Sequence, residues 1–127
     1  MGVWILMLAV DLLVPALMIG FGAYFSRRAP KHINAVFGYR TARSMQNRDT
    51  WVFAHRHCGR LWFFAGWILL AAAAAAMLCL LGRNAGTIAI GGAIVAGAEV
   101  VVLVGSIIPT QRALKRTFDA SGRRREE

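Results

Sequence analysis

Three apolar runs divide the chain: Val3–Phe25, Leu61–Leu81 and Thr87–Ile108, of 23, 21 and 22 residues. Each is long enough to cross a bilayer, because about 20 residues at 1.5 Å rise cover ~30 Å of hydrocarbon. Lipid offers the backbone no hydrogen-bond partner, so a spanning run must be helical. The pattern therefore predicts an all-α membrane protein with three transmembrane helices. It forms a single membrane domain over residues 1–127, with a linker at 26–60 and a polar tail at 109–127. The first run lacks a basic leader and contains Asp11 and Pro15. It is longer than the apolar core of a cleaved signal peptide and reads as a retained helix.

Periodicity inside the runs predicts which faces turn inward. Asp11, Pro15, Met18 and Gly22 are spaced four, three and four apart and share one face of the first helix. Pro15 is expected to kink that helix or free a carbonyl. Gly92, Glu99 and Ser106 recur every seven residues on the third helix. Six consecutive alanines, Ala71 to Ala76, and the glycines Gly91, Gly92, Gly97 and Gly105 favour close helix packing. The short turn Gly82–Gly86 makes the second and third helices an antiparallel hairpin. The tail is expected to extend the third helix by a turn or two and then fray.

The linker has a different pattern. Ser44, Asn47, Trp51, His55 and Gly59 are spaced three, four, four and four, and Trp62 continues the stripe. At 100° per residue they lie on one face. This predicts a helix over 44–60, an interfacial helix between the first and second spans that runs on into the membrane. Asn47 is its candidate N-cap, with Asp49 in the first turn. The stripe is made of small or hydrogen-bonding side chains and one aromatic. It suits either a binding face or a helix that simply lies on headgroups. Before it, Gly38 suits a turn, and Arg40 and Thr41 suit contact with phosphate or carboxylate groups.

Charge supplies orientation. The net charge is +9, and of the 15 Lys and Arg residues eight lie between Ser26 and Arg60 and six after Ile108. Only Arg83 lies in the Gly82–Gly86 turn. The positive-inside rule places the linker and tail in the cytoplasm, and the N-terminus and that turn outside. The basic residues are juxtamembrane, so they point to membrane lipids rather than nucleic acid, at ~1 kcal/mol per surface cation. Cys58 and Cys79 are ~30 Å apart along one helix and cannot pair. His32, His55, His57 and Cys58 lack a metal-ligand spacing. No metal or cofactor is expected.

Asp11 and Glu99 are the acids within the apolar runs. A charge at the bilayer centre costs about 2.5–3.5 kcal/mol, so each should face the bundle interior. They read either as a proton relay or cation site, or as structural polar groups. No nucleophile accompanies them, which argues against an enzyme.

The segment Asn34–Gly59 carries a further pattern: Asn34, Gly38-Tyr39-Arg40-Thr41, Ser44-Met45, Asn47, Trp51 and Gly59. It resembles the signature of the SdpI-like membrane proteins, bacterial proteins named for immunity to a secreted sporulation-delay toxin. Where this chain has His55, that family often has Asn. The resemblance covers the signature-bearing three-helix part only. It implies a non-enzymatic inner-membrane protein that protects against a membrane-active peptide toxin, with Asn34, Gly38, Arg40, Thr41, Ser44, Asn47, Trp51, His55 and Gly59 as the binding residues. Two other readings stay open. One is an accessory subunit of a larger membrane complex, or a homo-oligomer, built through the small-residue helices. The other is a proton-coupled transporter using Asp11 and Glu99.

Overall fold

The computed structural model describes residues 2–31, 33 and 39–125. His32, Asn34 and Gly38 lie outside the described residues, and so does most of the expected turn at Gly38. Four helices follow in order: α1 (Gly2–Arg27), α2 (Arg48–Cys79), α3 (Ala85–Gly105) and α4 (Ile107–Thr117). Three stretches are long and apolar enough to cross a membrane: α1, α2, and α3 with α4 together. The described chain is thus all-helical apart from turns and one isolated β-bridge.

The linker helix runs on into the membrane as expected, but it starts later and is not a separate element. Among the described residues no distinct interfacial helix lies between the first two spans, and Arg48–Arg60 is the opening of α2 itself, in one unbroken helix of 32 residues. Ser44 sits in a turn before that helix rather than inside it. The helix cannot begin earlier because Asn47 is extended, with φ −158° and ψ −178°, and acts as its N-cap. Its side chain accepts from the Thr50 N–H at 3.0 Å, while the Asn47 N–H donates to Thr50 Oγ1 at 3.1 Å. This reciprocal capping box satisfies backbone donors that the first turn leaves without partners. Asn84 caps α3 in the same way, accepting from the Thr87 N–H at 2.8 Å. Gly82, at φ +83°, turns the chain between α2 and α3.

Packing is dominated by α1 against α2, with α3 resting on α1 and touching α2 less. The predicted inward face of α1 is the buried one: Asp11, Pro15, Met18 and Gly22 are all buried, with Phe25. So are Gly92, Glu99 and Ser106. The closest approach of backbones lies at Gly22, Gly59 and Gly66. A Cβ on Gly22 would fall 2.6 Å from Phe63 N and 2.7 Å from Gly59 O. The alanine run contributes one buried residue, Ala73. Gly97 and Gly105 face open space, so they do not serve packing within the chain. At the far end of the α1–α2 pair, Trp4 Nε1 donates to the Met77 carbonyl at 2.7 Å.

The chain does not leave α3 as a fraying end. Pro109 has no N–H for the Gly105 carbonyl, and the helix is interrupted at Ser106 before resuming as α4. Thr110 Oγ1 donates to the Ser106 carbonyl at 3.1 Å across the break. After Thr117 a tight turn folds back: Gly122 N–H donates to Asp119 O at 3.0 Å, and Phe118 bridges Arg124. The expected frayed tail is therefore an ordered element as far as residue 125. The reason is Phe118, 1% exposed, which seats the turn in an apolar cluster with Tyr39, Ala54, Cys58 and Leu114.

Candidate functional site

The residues singled out from the sequence converge where the loop before α2, the start of α2 and the α4 tail meet. Trp51 is fully buried, and its Nε1 donates to the Pro30 carbonyl at 2.9 Å. Arg48 donates to the same carbonyl at 3.1 Å and also to that of Lys31. These bonds anchor the chain leaving α1 to the first turns of α2. His55 sits between Trp51 and Phe25, tilted against the first and edge-on to the second, with ring centroids 4.2 Å and 5.0 Å away. Its Nε2 accepts from the Tyr39 N–H at 2.8 Å. The ring proton is therefore assigned to Nδ1, which lies 2.8 Å from the Trp51 carbonyl and donates to it. One buried imidazole thus ties the loop to α2 and α1 together.

Ser44 and Thr41 close the loop on itself. Ser44 Oγ accepts from the Thr41 N–H at 2.9 Å, and Thr41 Oγ1 accepts from the Ser44 N–H at 3.2 Å. Thr50 Oγ1 lies 3.1 Å from the Ser44 carbonyl and donates to it. From α4, Gln111 Oε1 accepts from the Thr41 hydroxyl at 2.9 Å and the Tyr39 hydroxyl at 3.0 Å. Burial, then the neighbouring Cys58, holds the Tyr39 phenol above its ordinary range, so it stays a donor. Asn47 Nδ2 donates to the Gly122 carbonyl at 2.6 Å, and Gln46 to that of Ala120 at 2.8 Å. The N-cap of α2 is thereby also the docking point of the tail turn.

The predicted stripe is coherent but mostly faces inward. Ser44, Trp51 and His55 are each 0% exposed, and Gly59 is buried against the backbone of Phe25 and Ser26. Asn47 is half-buried and Thr41 likewise, whereas Arg40 is exposed. Arg40 and Thr41 stand at one side of an open groove of about 280 Å³. Trp62, Leu103, Val104 and Ile107 form its apolar wall, and Ser106 adds a hydroxyl. Trp62 Nε1 donates to that hydroxyl at 2.9 Å, which fixes the indole as part of the wall. Among the described residues no group of three or more His, Cys, Asp or Glu is placed to hold a metal. Asp11 and Glu99 lie elsewhere, inside the bundle.

Gln111, Thr110, Phe118 and Gly122 belong to this site and were not predicted. A signal for the first three existed: Ser106, Thr110, Leu114 and Phe118 recur every four residues, with Gln111 beside them. The polarity of the tail hid it.

The region that builds the loop, α2 and α3 matches the SdpI/YfhL protein family over residues 31–110. The chain belongs to this family. The uncharacterized protein YfhL of Bacillus subtilis (strain 168) is 40% identical to it over 68 residues, covering 54% of this chain and 57% of that protein. No solved structure matches. The family match and the three long apolar helices together describe a multi-pass membrane protein. All of α1, Gln111 and the Gly122 turn lie beyond the matched residues of the SdpI/YfhL region. The interior partners of the loop's core, Trp51 and His55, lie within them.

Proposed function

We propose that this SdpI/YfhL protein resides in the bacterial inner membrane and protects the cell against a membrane-active peptide toxin, by binding the peptide or shielding its membrane target, without catalysis. The observation that carries this reading is how the signature is used. Its buried members, Ser44, Trp51 and His55, hold the loop in one conformation. That loop sets the exposed Arg40 beside a groove walled by Trp62, Leu103 and Ile107. A fixed cation beside an apolar wall suits an amphipathic peptide that carries a carboxylate. The distribution of Lys and Arg favours a cytoplasmic loop and tail and an external N-terminus. The groove then meets a peptide that has entered the bilayer, and the surrounding basic residues contact lipid headgroups.

Challenge of cells carrying this chain with related peptide toxins tests the proposal. Expression is expected to raise survival, and Arg40→Ala to lose the protection at unchanged membrane abundance. Absence of protection against every co-encoded or related peptide sinks it. A second reading, an accessory subunit or homo-oligomer, is favoured by Gly97 and Gly105, which leave open space on α3 for another helix. It predicts a stoichiometric partner, or a second copy, on purification in mild detergent.

A further inference from the structure

The bundle interior holds a pair of acids that the loop and groove do not use. Asp11 on α1 and Glu99 on α3 are 0% and 1% exposed. Among the described residues none hydrogen-bonds any of their four carboxylate oxygens. Glu99 lies within Coulombic reach of Asp11. The two helices are held in contact here, with Met7 of α1 against Gly92, two turns before Glu99 on α3.

A carboxylate ion buried without a partner costs several kcal/mol, and a second ion beside it adds repulsion. A small positive ligand relieves both. The chain supplies no cation of its own at this depth. All 15 Lys and Arg residues lie outside the apolar runs. From Leu61 to Cys79, α2 adds one titratable side chain, Cys79, which is exposed. A calcium-like cation takes roughly 6–8 oxygen ligands, and no group of three candidate ligands is present among the described residues. A proton needs a single oxygen to carry it, which either carboxyl group provides.

We propose that Asp11 and Glu99 together hold a proton inside the bundle, so that one of the two buried carboxyls is neutral at neutral pH. The proton leaves a hydronium ion of the surrounding water, whose O–H bond breaks to leave a neutral water molecule, and forms an O–H bond on one carboxyl oxygen; the pair goes from two negative charges to one. This is independent of peptide binding at the Arg40 groove.

Infrared spectroscopy of the whole protein in vesicles of neutral phospholipid tests it. The wild type should show the C=O stretch of a protonated carboxylic acid at neutral pH, shifted in D₂O and lost on raising pH. The other four acids, Asp49, Asp119, Glu126 and Glu127, lie outside the apolar runs. Asp11→Asn and Glu99→Gln should each change the band, and the double variant should abolish it while circular dichroism stays helical. The wild-type spectrum decides the matter even where a variant fails to fold: no protonated-carboxyl band at neutral pH overturns the proposal. A band that survives in the folded double variant overturns it too. So does a band that sodium chloride titrates away at constant pH, which would assign the site to a metal cation.

Discussion

Tyr39 donates its backbone N–H to Nε2 of His55, 2.8 Å away and 16 residues along the chain. The bond joins an irregular loop to the middle of a helical turn that itself packs on α1. His55→Phe keeps an aromatic ring between Trp51 and Phe25 but removes the acceptor. It leaves a buried N–H without a partner, a loss of about 1–3 kcal/mol. Thermal unfolding in detergent should show a lowered Tm, and hydrogen exchange should show faster exchange at Tyr39 with the rest of the bundle unchanged.

The glycine contacts predict a sharp asymmetry. A Cβ on Gly59 would strike the backbone of Ser26 and Phe25, which cannot move aside as a side-chain tip can. Gly59→Ala should therefore separate α1 from α2 and destabilise by about 1–3 kcal/mol or more. Gly97 meets open space, so Gly97→Ala should be neutral or stabilising by up to ~1 kcal/mol through helix propensity. Equal Tm values for the two variants would contradict the packing described here.

Gln111 is the acceptor for two hydroxyls, of Tyr39 and Thr41. Gln111→Leu preserves bulk while removing the acceptor of both hydroxyls, at roughly 1 kcal/mol for each lost bond. Tyr39→Phe alone should cost less. Combining it with Gln111→Leu should cost less than the sum of the two, because the shared bond is lost only once.

Asn47 has two duties, capping α2 and holding the Gly122 carbonyl. Asn47→Ala should cost about 1 kcal/mol as a lost cap. It should also release the tail turn, visible as protease cleavage after Arg123 or Arg124. Asn47→Ser retains a capping oxygen and should recover the helix but not the tail contact.

The tail turn should also be sensitive to acid. Asp119 accepts from the Ser121 hydroxyl at 2.6 Å and from the N–H groups of Ser121 and Arg123. The Ser121 hydroxyl, then the Arg123 N–H, hold its carboxyl below the ordinary 3.8. A depressed carboxylate favours the folded turn above that ordinary value, and the contribution is lost as pH falls through the lower folded value. As pH falls below the ordinary carboxylate value the turn should therefore open while the helices persist, and Asp119→Ala should show the open turn at neutral pH. Protease sensitivity of the tail across pH is the measurement.

The inward faces of Asp11–Pro15–Met18–Gly22 and Gly92–Glu99–Ser106 were legible because helical periodicity is a local property. The N-cap at Asn47 was legible for the same reason. The expected start at Ser44 lies four residues before the observed start at Arg48, because a stripe at helical spacing does not reveal where capping stops the helix. The direction of the stripe was also not legible. Its polar side chains read as a binding face, yet Ser44 and His55 are satisfied internally by Thr41, Tyr39 and Trp51. The Thr41 and Tyr39 partners are backbone groups of a loop, whose path no periodicity encodes.

The sequence by itself determined that three apolar runs must cross a membrane as helices, because hydrocarbon leaves the backbone no other partner. It also determined that Asp11 and Glu99 face inward, since lipid does not tolerate them. Only the tertiary structure decided that α1 meets α2 through Gly22, Gly59 and Gly66, that the tail returns to seat Phe118, and that Arg40 is what the buried signature leaves exposed. Those outcomes depend on which surfaces come within van der Waals contact, and residues as far apart as Asn47 and Gly122 are neighbours only after the chain has folded.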